Sequence, residues 1–260
     1  MIVASPMRVL SLQSGSNGNC IYVEAGGVRL LVDAGISGRQ AELRLAARGR
    51  DIRDADALLI SHDHRDHVRC AGIYQRKFHL PIYVTAGTLA ASERRVGLGP
   101  LADVRPFRAG ATLTFGEVAV HTLPTPHDGA DGVGFVIEAE GKRLGVLTDL
   151  GHPFAALADV LGALDAVVLE SNYDPDLLAD GPYPVFLQDR IRGGGGHLSN
   201  GEAAALLAEH GRGLRWACLA HLSEDNNEPA LAVETCRQRT AGKLPIHLAT
   251  RYEASAVMEL

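Results

Sequence analysis

The chain has 260 residues, 46% of them hydrophobic, which is enough to bury a large core as one α/β domain spanning residues 1–260. With 31 acidic against 25 basic residues the net charge is −6, which excludes a globally basic nucleic-acid binder and leaves any polyanion to local patches or to bound metal. Four cysteines without a CxxC pair exclude a disulfide framework or zinc ribbon, and without a long apolar run or leader-like start the chain is expected to be cytoplasmic and free of the membrane.

In chain order, the patterning predicts strands over 8–12, 20–24 and 29–33, a helix over about 40–47, and a strand over 57–60. A helix over 66–75, a short strand over 81–84 and a helix over 86–95 follow, then strands over 112–115, 118–123, 132–138 and 143–147. The second half repeats strands followed by helices, with strands over 166–169, 216–219 and 246–249 and helices over 201–210 and 228–239. Two such halves predict sheet packed on sheet with helices outside.

The segment Ser61-His62-Asp63-His64-Arg65-Asp66-His67 carries the densest chemistry. It follows the apolar run Ala57-Leu58-Leu59-Ile60, so it lies at the carboxyl end of a strand, where open α/β sheets place ligands. In extended chain, positions two apart share a face, so His62 and His64 can grip one ion while Asp66 and His67, past the turn, point to a second. Imidazole with carboxylate suits zinc, iron or manganese better than magnesium or calcium. His127, Asp149 and His221 each follow a predicted strand too. Alone, each reads as a turn or cap residue; beside the histidine cluster they read as further ligands.

These residues resemble those of the metallo-β-lactamase fold, whose members carry an HxHxDH loop followed by a lone His, a lone Asp and a final His at strand ends. The resemblance covers nearly the whole chain and implies an αββα four-layer sandwich. It implies His62, His64 and His127 on one metal, Asp66, His67 and His221 on a second, and Asp149 bridging both. Asp33 matches the early aspartate that supports the ligand loop by hydrogen bonds. Two divalent ions about 3.5–4 Å apart lower the pKa of a bridging water to about 7, which makes hydroxide available, with Asp66 expected to orient that water or take its proton. A di-iron relative with redox chemistry has Glu at the second histidine of the loop; His64 stands there in this chain and favours hydrolysis.

Further segments, among them Ser14 to Cys20, Glu170-Ser171-Asn172-Tyr173-Asp174, Gly196-His197-Leu198-Ser199-Asn200 and Ala220 to Pro229, resemble the YycJ/WalJ-type branch. That branch is regarded as metal-dependent nucleases acting on double-stranded DNA from the 5′ end. The resemblance implies a DNA substrate and two divalent ions, manganese or zinc, with iron also fitting the donors. His152, after Asp149-Leu150-Gly151, departs from the pattern and bears on substrate contact rather than metal.

Substrate contacts are more open. His197 reads either as part of a glycine-rich lead into a helix capped by Ser199 or Asn200, or as a catalytic donor to the scissile phosphate or leaving oxygen, with Gly193 to Gly196 letting backbone N–H groups approach the phosphate. Asn17, beside Asn19, reads as a turn residue or a substrate contact, as does Asn172; Arg190 and Arg192 read as solvated cations or phosphate contacts. Two other functions stay open: a small-molecule hydrolase for a cyclic phosphodiester, lactone or thioester, and a non-catalytic scaffold stabilised by metal. The full ligand set argues against the scaffold.

Overall fold

A computed structural model describes residues 6–260. One sheet contains β1 (Arg8–Gln13), β2 (Cys20–Ala25), β3 (Val28–Val32), β4 (Ala57–Leu59), β5 (Ile82–Thr85) and β6 (Val104–Phe107), adjacent in that order. The other contains β7 (Thr112–Phe115), β8 (Val118–Pro124), β9 (Val133–Ala139), β10 (Lys142–Leu147), β11 (Ala166–Glu170), β12 (Trp216–Ala220) and β13 (Ile246–Leu248). A short β14 (Met258–Glu259) returns to pair with β1. Strands β3 to β6 run parallel, as do β10 to β13, and the rest of each sheet is antiparallel.

Alternation along the strands builds the layers. In Ala57-Leu58-Leu59-Ile60, Ala57 and Leu59 join a core between the sheets, while Leu58 and Ile60 face outward into a second core. There they meet Leu45 of α1 (Gly38–Ala46) and Tyr74 and Phe78 of α3 (Ala71–Phe78). In β11, Ala166 and Val168 face the inter-sheet core, and Val167 and Leu169 pack against α5 (Ala155–Gly162), α8 (Asn200–His210) and α9 (Pro229–Arg239). Parallel strands covered on both faces require such unbroken apolar runs, each buried Leu or Val stabilising by roughly 1.5–3 kcal/mol. The result is the expected four layers, helix, sheet, sheet, helix.

Several elements differ from expectation. The helix expected over 66–75 is two, α2 (Arg65–Val68) and α3, because the ligand loop is clamped to the segment after β3. Ala34 N–H donates to His67 C=O at 2.7 Å and Cys70 N–H donates to Ala34 C=O at 2.9 Å. Strand β6 was not expected because its Val-Arg-Pro-Phe run carries Pro106; at a sheet edge a missing N–H is tolerated. Helices α5, α6 (Pro175–Asp180) and α7 (Val185–Arg192) were also not expected. The last two pack around Leu178 and Ile191 and bring Tyr183, Leu187 and Arg190 to the cleft.

Candidate metal centre

The site lies at the carboxyl ends of the central strands of both sheets. Three of its residues leave their strands in left-handed backbone: Asp33 after β3 (φ 65°), Asp149 after β10 (φ 58°) and His221 after β12 (φ 56°). This conformation is uncommon outside glycine and gathers at functional sites. The fourth contribution, Ser61 to His67, follows β4, and His127 follows β8.

All seven expected ligands come together. His62, His64 and His127 offer ring nitrogens within 4.8 Å of one another, as do donor atoms of Asp66, His67 and His221, and those of His62, His67 and Asp149. His127 Nε2 lies 3.1 Å from His64 Nδ1, and His67 Nε2 lies 3.4 Å from His221 Nε2. Asp149 sits between the two groups, its carboxylate 3.2 Å from His67 and 3.6 Å from both His127 and His221.

Atoms facing away from this centre are tied down. His67 Nδ1 donates to Asp33 Oδ2 at 2.7 Å, and Asp33 also accepts from the Ser61 N–H and hydroxyl. His127 Nδ1 donates to Gly196 C=O at 2.8 Å. The Asn172 amide donates to His221 C=O at 2.7 Å and lies 3.1 Å from its Nδ1. Fixing one ring nitrogen aims the other lone pair inward, as metal sites require. One inward atom, His62 Nε2, is buried with no hydrogen bond among the described residues, and another, Asp149 Oδ2, has only its ion-pair contact with His67 Nε2 at 3.2 Å. An unpartnered buried polar atom costs about 1–3 kcal/mol, and a divalent cation would satisfy both. The donor set is that of a divalent-metal site.

Electrostatics agree with the geometry. Burial, then the neighbouring His67, pushes His62 well below its usual pKa, and burial with His127 lowers His64 to about 4, so both present neutral rings. Burial also opposes charge on His67 and His221, but Asp149 and Asp66 outweigh it, raising His67 well above its usual value and His221 to about 10. Burial would raise Asp66 and Asp149, yet the surrounding imidazoles hold both well below the carboxylate range. The centre thus has anionic carboxylates that attract cations, whether protons or metal ions.

Other expected contacts divide. His197 lines the cleft, with Nδ1 2.6 Å from Glu170 Oε1. Burial pushes Glu170 up, but His197 outweighs it and holds the carboxyl at about 2. Ser199 does cap α8, in a capping box with Glu202. In the glycine run Gly194 C=O accepts from His152, Gly195 C=O from Asp128 N–H and Gly196 C=O from His127, and the Gly193 and Gly196 N–H groups, expected to approach a phosphate, donate to Arg190 C=O and Gly193 C=O. Asn172 lines the cleft, but its amide is engaged with His221. Asn17 is not among the cleft-lining residues; its C=O accepts from Arg69 and its neighbour Ser16 faces the cleft instead. Arg190 lines the cleft paired to Asp128 at 2.7 Å, and Arg192 bonds Gln188 outside it.

Four participants escaped the sequence reading. Asn19 lies 3.2 Å from Asp66 Oδ2 and 2.9 Å from His67 Nε2. Asp63 anchors the ligand loop by accepting from Ala130 N–H and pairing with Arg95. Glu170 accepts from the N–H groups of Leu150 and Leu198 besides His197, and a signal for it existed, since it ends an apolar strand as Asp149 and His221 follow theirs. Arg65 lines the cleft, exposed, with no ion pair to a described carboxylate.

A family model described as β-lactamase superfamily domain matches residues 28–221, which include the entire cluster. The chain belongs to the β-lactamase superfamily. Within it, the chain is 35% identical over 222 residues to "Exodeoxyribonuclease YycJ" of Bacillus anthracis, covering 85% of this chain and 84% of that one. It is 34% identical over 224 residues to "Exodeoxyribonuclease WalJ" of Streptococcus pneumoniae, covering 85% and 83%. The crystal structure of the metallo-β-lactamase fold protein YhfI from Bacillus subtilis superposes with a TM-score of 0.73 at 17% identity, over 98% of this chain and all of that one. By family, fold and donor set, this superfamily member is a metal-dependent hydrolase of the YycJ/WalJ branch. Among the described residues no helix is long and apolar enough to cross a membrane.

Proposed function

We propose that the protein is a dinuclear metal-dependent phosphodiesterase that degrades double-stranded DNA exonucleolytically from the 5′ end. The observation that carries this reading is near-full-length similarity, at 34–35% identity, to two proteins named exodeoxyribonucleases. In this reading His62, His64 and His127 would hold one ion, Asp66, His67 and His221 the other, and Asp149 both, with manganese, zinc and iron all suited to the donors. When bound, such ions acidify water and draw off the negative charge that builds at phosphorus.

The chain's own groups supply the rest. Asp66 lines the cleft, and in this reading its carboxylate would orient the attacking water or take its proton. His197, held through Nδ1 by Glu170, would in this reading donate from Nε2 to the phosphate or to the leaving oxygen. Buried Glu170 stays anionic and, accepting from Nδ1, would fix that tautomer, as the carboxylate does in a hydrolase triad.

A substrate panel tests the reading: linear duplex DNA, the same duplex as a closed circle, and bis(p-nitrophenyl) phosphate. Loss of the linear duplex with the circle intact is expected. Turnover of the small diester with neither DNA touched would replace it with a small-molecule hydrolase.

A further inference from the structure

Beside the metal cleft lies a second cavity of about 400 Å³, walled by Leu222, Ser223, Glu224, Leu248, Arg251 and Tyr252 among others. The two are neighbours, because Ser223 lines both. Ser14, also on this wall, accepts from His221 N–H at 2.8 Å through its hydroxyl and donates its own N–H to Thr250 C=O at 3.0 Å. The loop carrying a candidate metal ligand is thereby the partition between the two spaces.

The lining discriminates among occupants. Glu224 and Glu253 bring two carboxylates against the single guanidinium of Arg251, so a phosphate is repelled. Apolar Leu222, Leu248 and Pro229 with these polar groups suit an uncharged, flat, amphipathic body instead. At the rim Tyr252 is 64% exposed, yet it is held at both ends: Arg44 donates to its C=O at 2.6 Å and its hydroxyl donates to Glu224. An exposed ring so fixed is a stacking platform prepared in advance, since every nucleobase has a π-face to lay on it.

We infer that this cavity is a nucleoside subsite, receiving the terminal base and sugar of the DNA end while the attached phosphodiester lies in the metal cleft, with Tyr252 stacking on the base. The inference rests on the exonuclease reading. A space of about 400 Å³ is ample for one nucleoside, which gives the cleft a reason to work from an end.

The test pairs Tyr252→Ala with a duplex whose terminal nucleotide is abasic, using metal-loaded protein. Either change alone is expected to raise KM for the linear duplex about tenfold with kcat little altered, and the two together no more than either alone, because both delete the same contact. Tyr252→Phe keeps the ring but frees it from Glu224, and is expected to raise KM less than Tyr252→Ala does, while all variants should bind manganese as the wild type does. If Tyr252→Ala leaves KM unchanged, or the two effects multiply, the subsite is wrong while the exonuclease reading stands. If wild-type protein degrades no DNA end at all, the exonuclease reading fails and the subsite with it.

Discussion

Asp33 Oδ2 accepts from His67 Nδ1 at 2.7 Å, joining two residues 34 positions apart and fixing the tautomer that turns His67 Nε2 toward Asp66, His221 and Asp149. Asp33→Asn puts an amide within reach of that ring N–H, and a donor facing a donor drives the proton to Nε2, where it blocks the lone pair. Asparagine tolerates the positive φ of this position, so the fold should hold. Metal affinity is expected to fall about 10–100-fold, measured by competition with a chromogenic chelator, with the circular dichroism spectrum unchanged.

Gly35 admits no side chain. A Cβ there would lie 1.6 Å from Asp66 C=O and 2.5 Å from Asn19 N, both backbone atoms that cannot swing aside. Gly35→Ala should therefore move the ligand loop off β3 and cost at least about 3 kcal/mol. Urea denaturation of the purified variant, beside its metal content, would measure both; native stability with full metal loading would refute the argument.

How far the sequence reached follows from range. Layers and strands were legible because alternation and apolar runs are local, and the candidate ligands because His62 to His67 cluster in one short run, with His127, Asp149 and His221 picked out by the family resemblance. Contacts made across the molecule were not. Nothing near Met258 announces pairing with Val9, and nothing near Gly196 announces that its carbonyl orients His127. The split of the helix over 66–75 was hidden likewise, being set by backbone bonds to Ala34. Asn17 and Asn19 look alike in Ser-Asn-Gly-Asn, and only the fold turns Asn19 toward Asp66 and Asn17 toward Arg251 and Arg69.

Arg65 stands between two candidate ligands, exposed in the cleft without a carboxylate partner among the described residues, whereas Arg190 is paired to Asp128. A cation so placed is available to a phosphate. Arg65→Ala should weaken DNA binding and lower the slope of log affinity against log salt by about one, with the same loss on every sequence. An unchanged slope in fluorescence anisotropy titrations would remove Arg65 from the interface.

Metal removal should destabilise the fold, since the stripped centre keeps Asp149 and four imidazoles buried around unpartnered atoms. Ligand binding to the folded state alone stabilises it by mass action, about 4 kcal/mol at a thousandfold excess over Kd. Calorimetry should show Tm several degrees higher with manganese or zinc than with chelator, and the gain should be lost in His67→Ala. Equal Tm in both conditions would mean that the cluster does not hold metal.

The most direct test of the account takes metal-stripped protein and a linear duplex labelled at its 5′ ends, and follows release of the label as mononucleotide on adding manganese or zinc. Prompt release with metal, none without it, and none from Asp66→Ala is the expected result. Release that is indifferent to metal or to Asp66, or an intact 5′ end in a fully metal-loaded enzyme, would contradict it.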